Sequence, residues 1–290
     1  MDIFLQTLIA GLETGSLYAL AALGLVLIFR TSDLINFAQG DMAMFSTFIA
    51  FTLFQRTNSY PLAFFGALIF SVIFGFLVER VFIRPASKAN LVSKMIITLG
   101  LIMIVGGLAG AVFGTDSEYL RKVVLANNLQ FGNVVIQPNA LFIIVLTIII
   151  MAILFTIINK TKLGIAIRAT AQNEETARLM GIPVKRVYAM SWILATMLGA
   201  ITGLLVAPTT NVSINMMGEI HLKSFIAAVL GGFSSFTGPV LGGFILGELD
   251  NMVGLYLSLK WKTVIVYGLL IIILIFKPTG ILGKVHRKKV

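Results

Sequence analysis

The chain predicts an all-α fold, a polytopic integral membrane bundle of about eight to nine transmembrane segments, and three observations carry that prediction. Of its 290 residues, 58% are hydrophobic and only 12% charged, a balance that a soluble domain of this size does not reach. Apolar runs of the ~20 residues needed to cross a ~30 Å hydrocarbon core recur from end to end. The alternation that marks barrel strands is absent.

The first predicted span, Phe4 to Phe29, reads as retained, because Met1-Asp2 supplies no basic n-region and the apolar stretch is too long for a signal-peptide core. Next come Gln39 to Phe54, Leu62 to Val78, Met95 to Gly114, Ala140 to Ile158, Tyr188 to Ala207, Pro239 to Leu257 and Thr263 to Phe276. Between the sixth and seventh lies Ser224 to Phe236, too short and too rich in Gly and Ser for an ordinary crossing, and suited to a broken or re-entrant helix buried in protein. Counting it as a crossing puts the N-terminus outside and the C-terminus inside, and the distribution of basic residues favours that choice. Inside fall Arg30, then Arg80, Arg84, Lys88 and Lys94, then Lys160, Lys162, Arg168, Arg178, Lys185 and Arg186, then Lys277, Lys284, Arg287, Lys288 and Lys289. Outside fall only Arg56, Arg121, Lys122, Lys223, Lys260 and Lys262.

The longest outside loop, Thr115 to Pro138, is expected either to meet an extracytoplasmic partner or to cover the outer mouth. No soluble module is visible, so residues 1–290 are expected to form a single transmembrane domain with a cytoplasmic loop at 160–187. Glycines four residues apart, as in Gly199-Gly203, Gly238-Gly242 and Gly243-Gly247, let helix backbones approach closely, chiefly within the chain.

Composition also excludes functions. The formal charge of +10 is accounted for by basic cytoplasmic loops, so no nucleic acid is expected as a partner. Without cysteine there is no disulfide, thiolate nucleophile or Cys-based metal site, and only His221 and His286 supply imidazole, so no metal is expected. A phosphate-binding loop is also absent: Gly280-Ile-Leu-Gly283-Lys284 has the wrong spacing and follows a span rather than a strand. Active transport would therefore need ATP hydrolysed by a partner, or an ion gradient.

Ionisable groups inside spans cost about 2.5–3.5 kcal/mol each on insertion scales, which singles out Glu13, Asp41, Glu248 and Asp250. Glu248 and Asp250 are two apart and point to nearly opposite sides of a helix, against a paired-carboxylate catalytic site; Glu248 shares its face with Asn251. In Asp33 to Met42, the polar residues Asn36, Gln39 and Asp41 either satisfy freed backbone groups at an irregular helix start or line a polar path. Together with Glu248 and Asn251 they are the candidate substrate pathway.

The basic interruption from Lys160 to Val187 has the character of a docking handle. Asn173-Glu174-Glu175 can cap and start a short helix, with Gly181 and then Pro183 available to stop it. Within it, Gly164 to Ile182 resembles the cytoplasmic loop of ABC-importer permeases of the branched-chain amino acid class. Glu175-Thr176-Ala177, three residues, then Gly181 resembles their docking motif, with Thr where the second residue is usually Ala. Leu34 to Gly40, Ala227 to Pro239 and Lys277 to Gly283 are similar to three further segments of that family, so the likeness runs through almost the whole chain.

The resemblance implies a permease subunit with no catalytic residues. It would pair with a second related permease and two cytoplasmic ATP-binding subunits, which bind ATP and Mg, and would receive substrate from an extracytoplasmic binding protein. It implies a multi-pass protein of the bacterial inner membrane, surrounded by lipid. Ala177, Leu179 and Met180 would enter a cleft on the ATPase, with Arg168, Glu174, Glu175 and Arg178 at the rim and Asn173, Thr176 and Gly181 shaping the helix. Gln39 stands where the family more often has His, and Ser46-Thr47-Phe48 where a Gly-Ala-Tyr-like run is usual. The substrate implied is a branched-chain or other hydrophobic amino acid, with urea, short amides or simple sugars as alternatives. An ion-coupled secondary transporter using Asp41 or Glu248, and an intramembrane enzyme, are the rivals from other classes.

Overall fold

A computed structural model describes residues 2–283, with helices α1 (Asp2–Ser32), α2 (Gln39–Thr57), α3 (Tyr60–Val78), α4 (Leu91–Phe113), α5 (Pro138–Lys160), α6 (Lys162–Gln172), α7 (Glu174–Leu179), α8 (Val184–Thr210), α9 (Gly218–Gly231), α10 (Gly238–Tyr256) and α11 (Lys262–Phe276). α3 runs on through a π-helical turn, Glu79–Ile83, and a 3₁₀ turn, Pro85–Lys88. Among the described residues, five helical stretches are long and apolar enough to cross a membrane: Asp2–Ser32, Tyr60–Ile83, Leu91–Phe113, Pro138–Lys160 and Val184–Thr210. Their exposed faces carry Ile, Leu, Phe, Val and Met, as in Phe65, Ile69, Met103, Val112 and Ile153, which suits hydrocarbon as solvent. Six buried hydroxyls are satisfied within their own helices: Ser16, Thr31, Ser46, Thr47, Thr196 and Thr202 each donate to the carbonyl four residues back.

The chain forms two compact units, residues 2–26, 122–149 and 222–283, and residues 27–121 and 150–221. In the second, α2, α3 and α8 pack together. Gly203 lies over Thr47 and Ala43, and Gly75 over Trp192 and Thr196, so backbones approach where no side chain intervenes. Trp192, Leu34, Met42, Val78 and Leu101 fill its core. Phe45 stacks on Phe70 at 5.7 Å, and Phe48 on Phe113 at 4.9 Å.

In the first unit α10 lies against α1, with Gly243 on Ala19 and Gly247 on Gly15; the four-residue glycine spacing is thus used for close packing within the chain. Gly231 and Gly238 meet backbone to backbone, closing α9 and α10 into a tight hairpin.

The Gly-rich segment departs from expectation. Helicity begins at Gly218 and ends at Gly231, instead of running from Ser224 to Phe236, and 14 residues extend only about 21 Å, short of a hydrocarbon core. α9 does not span by itself. Its C-terminus is closed from far along the chain: the Ile281 and Leu282 amides donate to the Leu230 and Gly231 carbonyls at 2.7 and 3.0 Å. The segments Ala227–Pro239 and Lys277–Gly283, read separately in the sequence, are therefore one structural feature.

The segment between α4 and α5 contains a short antiparallel hairpin, Leu129–Phe131 (β1) with Val134–Ile136 (β2), turning at Gly132 with φ +63°. Within the second unit, Glu118 and Val212 exchange backbone hydrogen bonds at 2.9 and 2.8 Å.

Candidate functional site

The segment 160–187 is built by local hydrogen bonding. Thr161 caps α6 by accepting from the Gly164 amide at 3.1 Å while donating to Ile157 O at 2.6 Å. Gly164 sits against the Ile157 and Ile158 carbonyls, where a side chain would collide, so α6 folds back tightly beneath α5. Arg168 donates to Ile158 O. That guanidinium satisfies a carbonyl at the end of α5 and is half-buried, so it fastens the loop to the chain and does not stand free at a rim.

Asn173 then caps α7, its Oδ1 accepting from the Thr176 amide at 2.9 Å. Glu174 and Glu175 occupy the first turn, where the helix dipole favours negative charge, and Glu174 pairs with Arg178 at 2.5 Å. Ile182 N–H donates to Ala177 O and Gly181 N–H to Arg178 O, at 3.0 and 3.1 Å, with Gly181 at φ +81°. This is a Schellman stop, with the glycine at the left-handed position. Ala177 is buried within the chain, contrary to its expected entry into a partner's cleft, because it faces Ile182 beneath the turn. Leu179 and Met180 are 87% and 79% exposed, large apolar side chains left uncovered at the tip.

The expected pathway residues separate. Asn36 is 1% exposed; its Oδ1 accepts from the Ala38 amide at 3.1 Å and its amide nitrogen lies 3.7 Å from the Met42 sulfur, so it organises the non-helical approach to α2. Gln39 is buried at the first turn. Asp41 faces a cavity of about 260 Å³, lined also by Phe37, Met44, Ile102, Asn215 and His221. Gly40 opens one side of that cavity, since a β-carbon there would press on His221. One carboxylate, an amide and an imidazole are thus set among apolar walls.

Glu248 and Asn251 belong to the other unit. The Glu248 carboxylate lies over Gly11, and neither oxygen has a hydrogen-bond partner among the described residues. Asn251 donates to Thr14 Oγ1 at 3.2 Å and to Gly247 O at 2.9 Å, tying α10 to α1.

Sequence reading missed a buried charge cluster. Asp250 Oδ2 lies 2.9 Å from both Lys223 Nζ and Lys262 Nζ and accepts from the Tyr18 hydroxyl at 3.3 Å. Lys223, expected in an outside loop, is only 3% exposed because this carboxylate neutralises it inside the unit. The charge at position 250 within a span was the available signal. His221 and Asn215 in the cavity carried none beyond residue type.

No group of three or more metal-ligating side chains occurs among the described residues. Membrane-crossing helices, a capped helix displaying an apolar tip and a cavity with apolar walls define a polytopic membrane permease. The chain belongs to the family described as the branched-chain amino acid transport system, permease component, whose model matches residues 7–274. It is 33% identical to the high-affinity branched-chain amino acid transport system permease protein BraD of Pseudomonas aeruginosa, over 99% of this chain and 98% of that one. With LivH of Escherichia coli it shares 30% identity over the same fractions, and with the probable LivH of Methanocaldococcus jannaschii 31% over 92% and 89%. No solved structure matches.

Proposed function

We propose that this chain is the permease subunit of an ATP-driven importer that carries branched-chain amino acids into the cytoplasm. It acts as one transmembrane domain of a multi-pass inner-membrane protein, with its N-terminus outside and its C-terminus cytoplasmic. A second related permease, two cytoplasmic ATP-binding subunits and an extracytoplasmic binding protein complete the transporter; ATP and Mg belong to the ATPase subunits. The observation that carries the reading is α7, a helix fixed by a side-chain cap at one end and a glycine stop at the other, with Leu179 and Met180 uncovered between membrane helices. Those two side chains enter the ATPase cleft, Glu175 and Thr176 meet its rim, and Arg168 transmits the displacement to the end of α5 through Ile158.

The cavity at Asp41 is the stopping place of the substrate. Its carboxylate meets the α-ammonium group, Asn215 is placed for the α-carboxylate, and Phe37, Met44 and Ile102 accept an aliphatic side chain. This chemistry suits leucine, isoleucine or valine better than urea or a sugar, which would need more polar walls. The test is purification of the tagged chain in mild detergent with whatever accompanies it, followed by reconstitution and uptake of radiolabelled leucine. Co-purified ATPase subunits and uptake that requires ATP support the assignment. Uptake by this chain alone, driven by a proton or sodium gradient, overturns it.

A further inference from the structure

A second cavity, about 470 Å³, lies in the unit that carries α7, between the 3₁₀ turn, the first turns of α4 and α8, and α7 itself. Its charged lining comprises Glu79, Arg84, Lys88, Lys94, Glu174, Arg178 and Lys185. Both carboxylates are already neutralised: Arg84 holds Glu79 through two hydrogen bonds, at 3.1 and 2.7 Å, and Arg178 holds Glu174 at 2.5 Å. Lys88, Lys94 and Lys185 remain, and no side-chain partner meets any of the three among the described residues. Trp192, which is 1% exposed, contributes to the apolar part of the lining.

We propose that this cavity binds the phosphate group of an anionic phospholipid. Lys88, Lys94 and Lys185 line one cavity and present only donors, and a phosphodiester offers acceptor oxygens with one negative charge. Leu34, Ile83 and Val184 give the cavity an apolar side. Leu91 and Val92, at the start of α4, and Val81 and Phe82, before the 3₁₀ turn, are exposed apolar residues on the elements that bound the cavity, and they suit acyl chains. A free phosphate ion would use the lysines but not that surface, so the lipid is the source the site favours. Because Arg178 and Glu174 belong to α7, a seated headgroup links the docking helix to the ends of α3 and α4 and makes its position sensitive to lipid composition.

Native mass spectrometry of the delipidated full-length chain tests this, using phosphatidylglycerol, phosphatidylcholine and inorganic phosphate as separate probes. Phosphatidylglycerol should be retained in preference to phosphatidylcholine, and the triple variant K88Q/K94Q/K185Q should lose that preference by about tenfold or more. The control R80Q/K160Q/K162Q removes exposed cations that do not line the cavity and should keep it. Displacement of the lipid by inorganic phosphate would uphold the phosphate site while replacing lipid as its source. Equal retention of both lipids with no effect of phosphate, or equal losses in the two triple variants, overturns the proposal.

Discussion

Replacing Gly181 changes the backbone of the docking segment without changing its contacts. Nothing lies within 4 Å of a β-carbon added there, so no clash contributes, and the whole penalty comes from φ +81°. An L-residue forced into the left-handed region loses about 1–2 kcal/mol, which is roughly a 5- to 30-fold fall in the population of the stopped helix. α7 has little to resist with: six residues, of which only Ala177 is buried. Asparagine tolerates this region better than alanine, and a β-branched residue tolerates it worst. Leucine-stimulated ATP hydrolysis and uptake by the reconstituted transporter should therefore fall in the order Gly181, Gly181→Asn, Gly181→Ala, Gly181→Val, while Gly107→Ala, also facing open space but within a regular helix, is silent. If Gly181→Val is as active as the parent, or if asparagine is as damaging as valine, the conformational argument fails.

Three further outcomes follow from the geometry. Asp250→Ala leaves Lys223 buried without its counter-charge, at a cost of about 3–5 kcal/mol, and should lower the melting midpoint in detergent far more than Lys262→Ala; equal shifts would refute a shared buried cluster. Gly247→Ala drives a methyl group into the Gly15 backbone and should reduce the yield of monodisperse protein on size exclusion, and an unaffected yield would show that α1 and α10 can separate without harm. Asp41→Asn should raise the KM for leucine uptake about tenfold or more, the scale of a lost charge-assisted hydrogen bond, and leave basal ATP hydrolysis intact; an unchanged KM would remove the cavity from the substrate's route.

The long helices were legible because each is an apolar run of membrane length, and α7 because Asn173 and Gly181 are local signals whose partners lie within a few residues. What failed to show depended on partners distant in sequence. Lys223 reads as a loop residue until Asp250, 27 positions on, is brought to it, and for the same reason the start of α9 was placed six residues late. Arg168 reads as a free cation because its acceptor is a main-chain carbonyl, to which side-chain patterns are blind. Ala177 matched a motif, but which way a small residue faces is decided by the turn that follows. The unpaired lysines of the second cavity were visible only as members of two separate basic loops.

The closure of α9 by Ile281 and Leu282 has a bearing on how the protein is made. The carbonyls that end this helix wait for amide donors about fifty residues downstream, so the helix leaves the translocon before its own terminus can be completed. Until Lys277–Gly283 has emerged and folded back, those carbonyls remain marks of an unfinished chain. Main-chain donors at that point make the junction intolerant of a proline at 281 or 282, and Gly232 and Gly280 meet the opposing backbone so closely that neither position has room for a side chain. Biogenesis thus has a late step written into the backbone, and a chain interrupted before it would present quality-control proteases with an open helix end that the finished protein conceals.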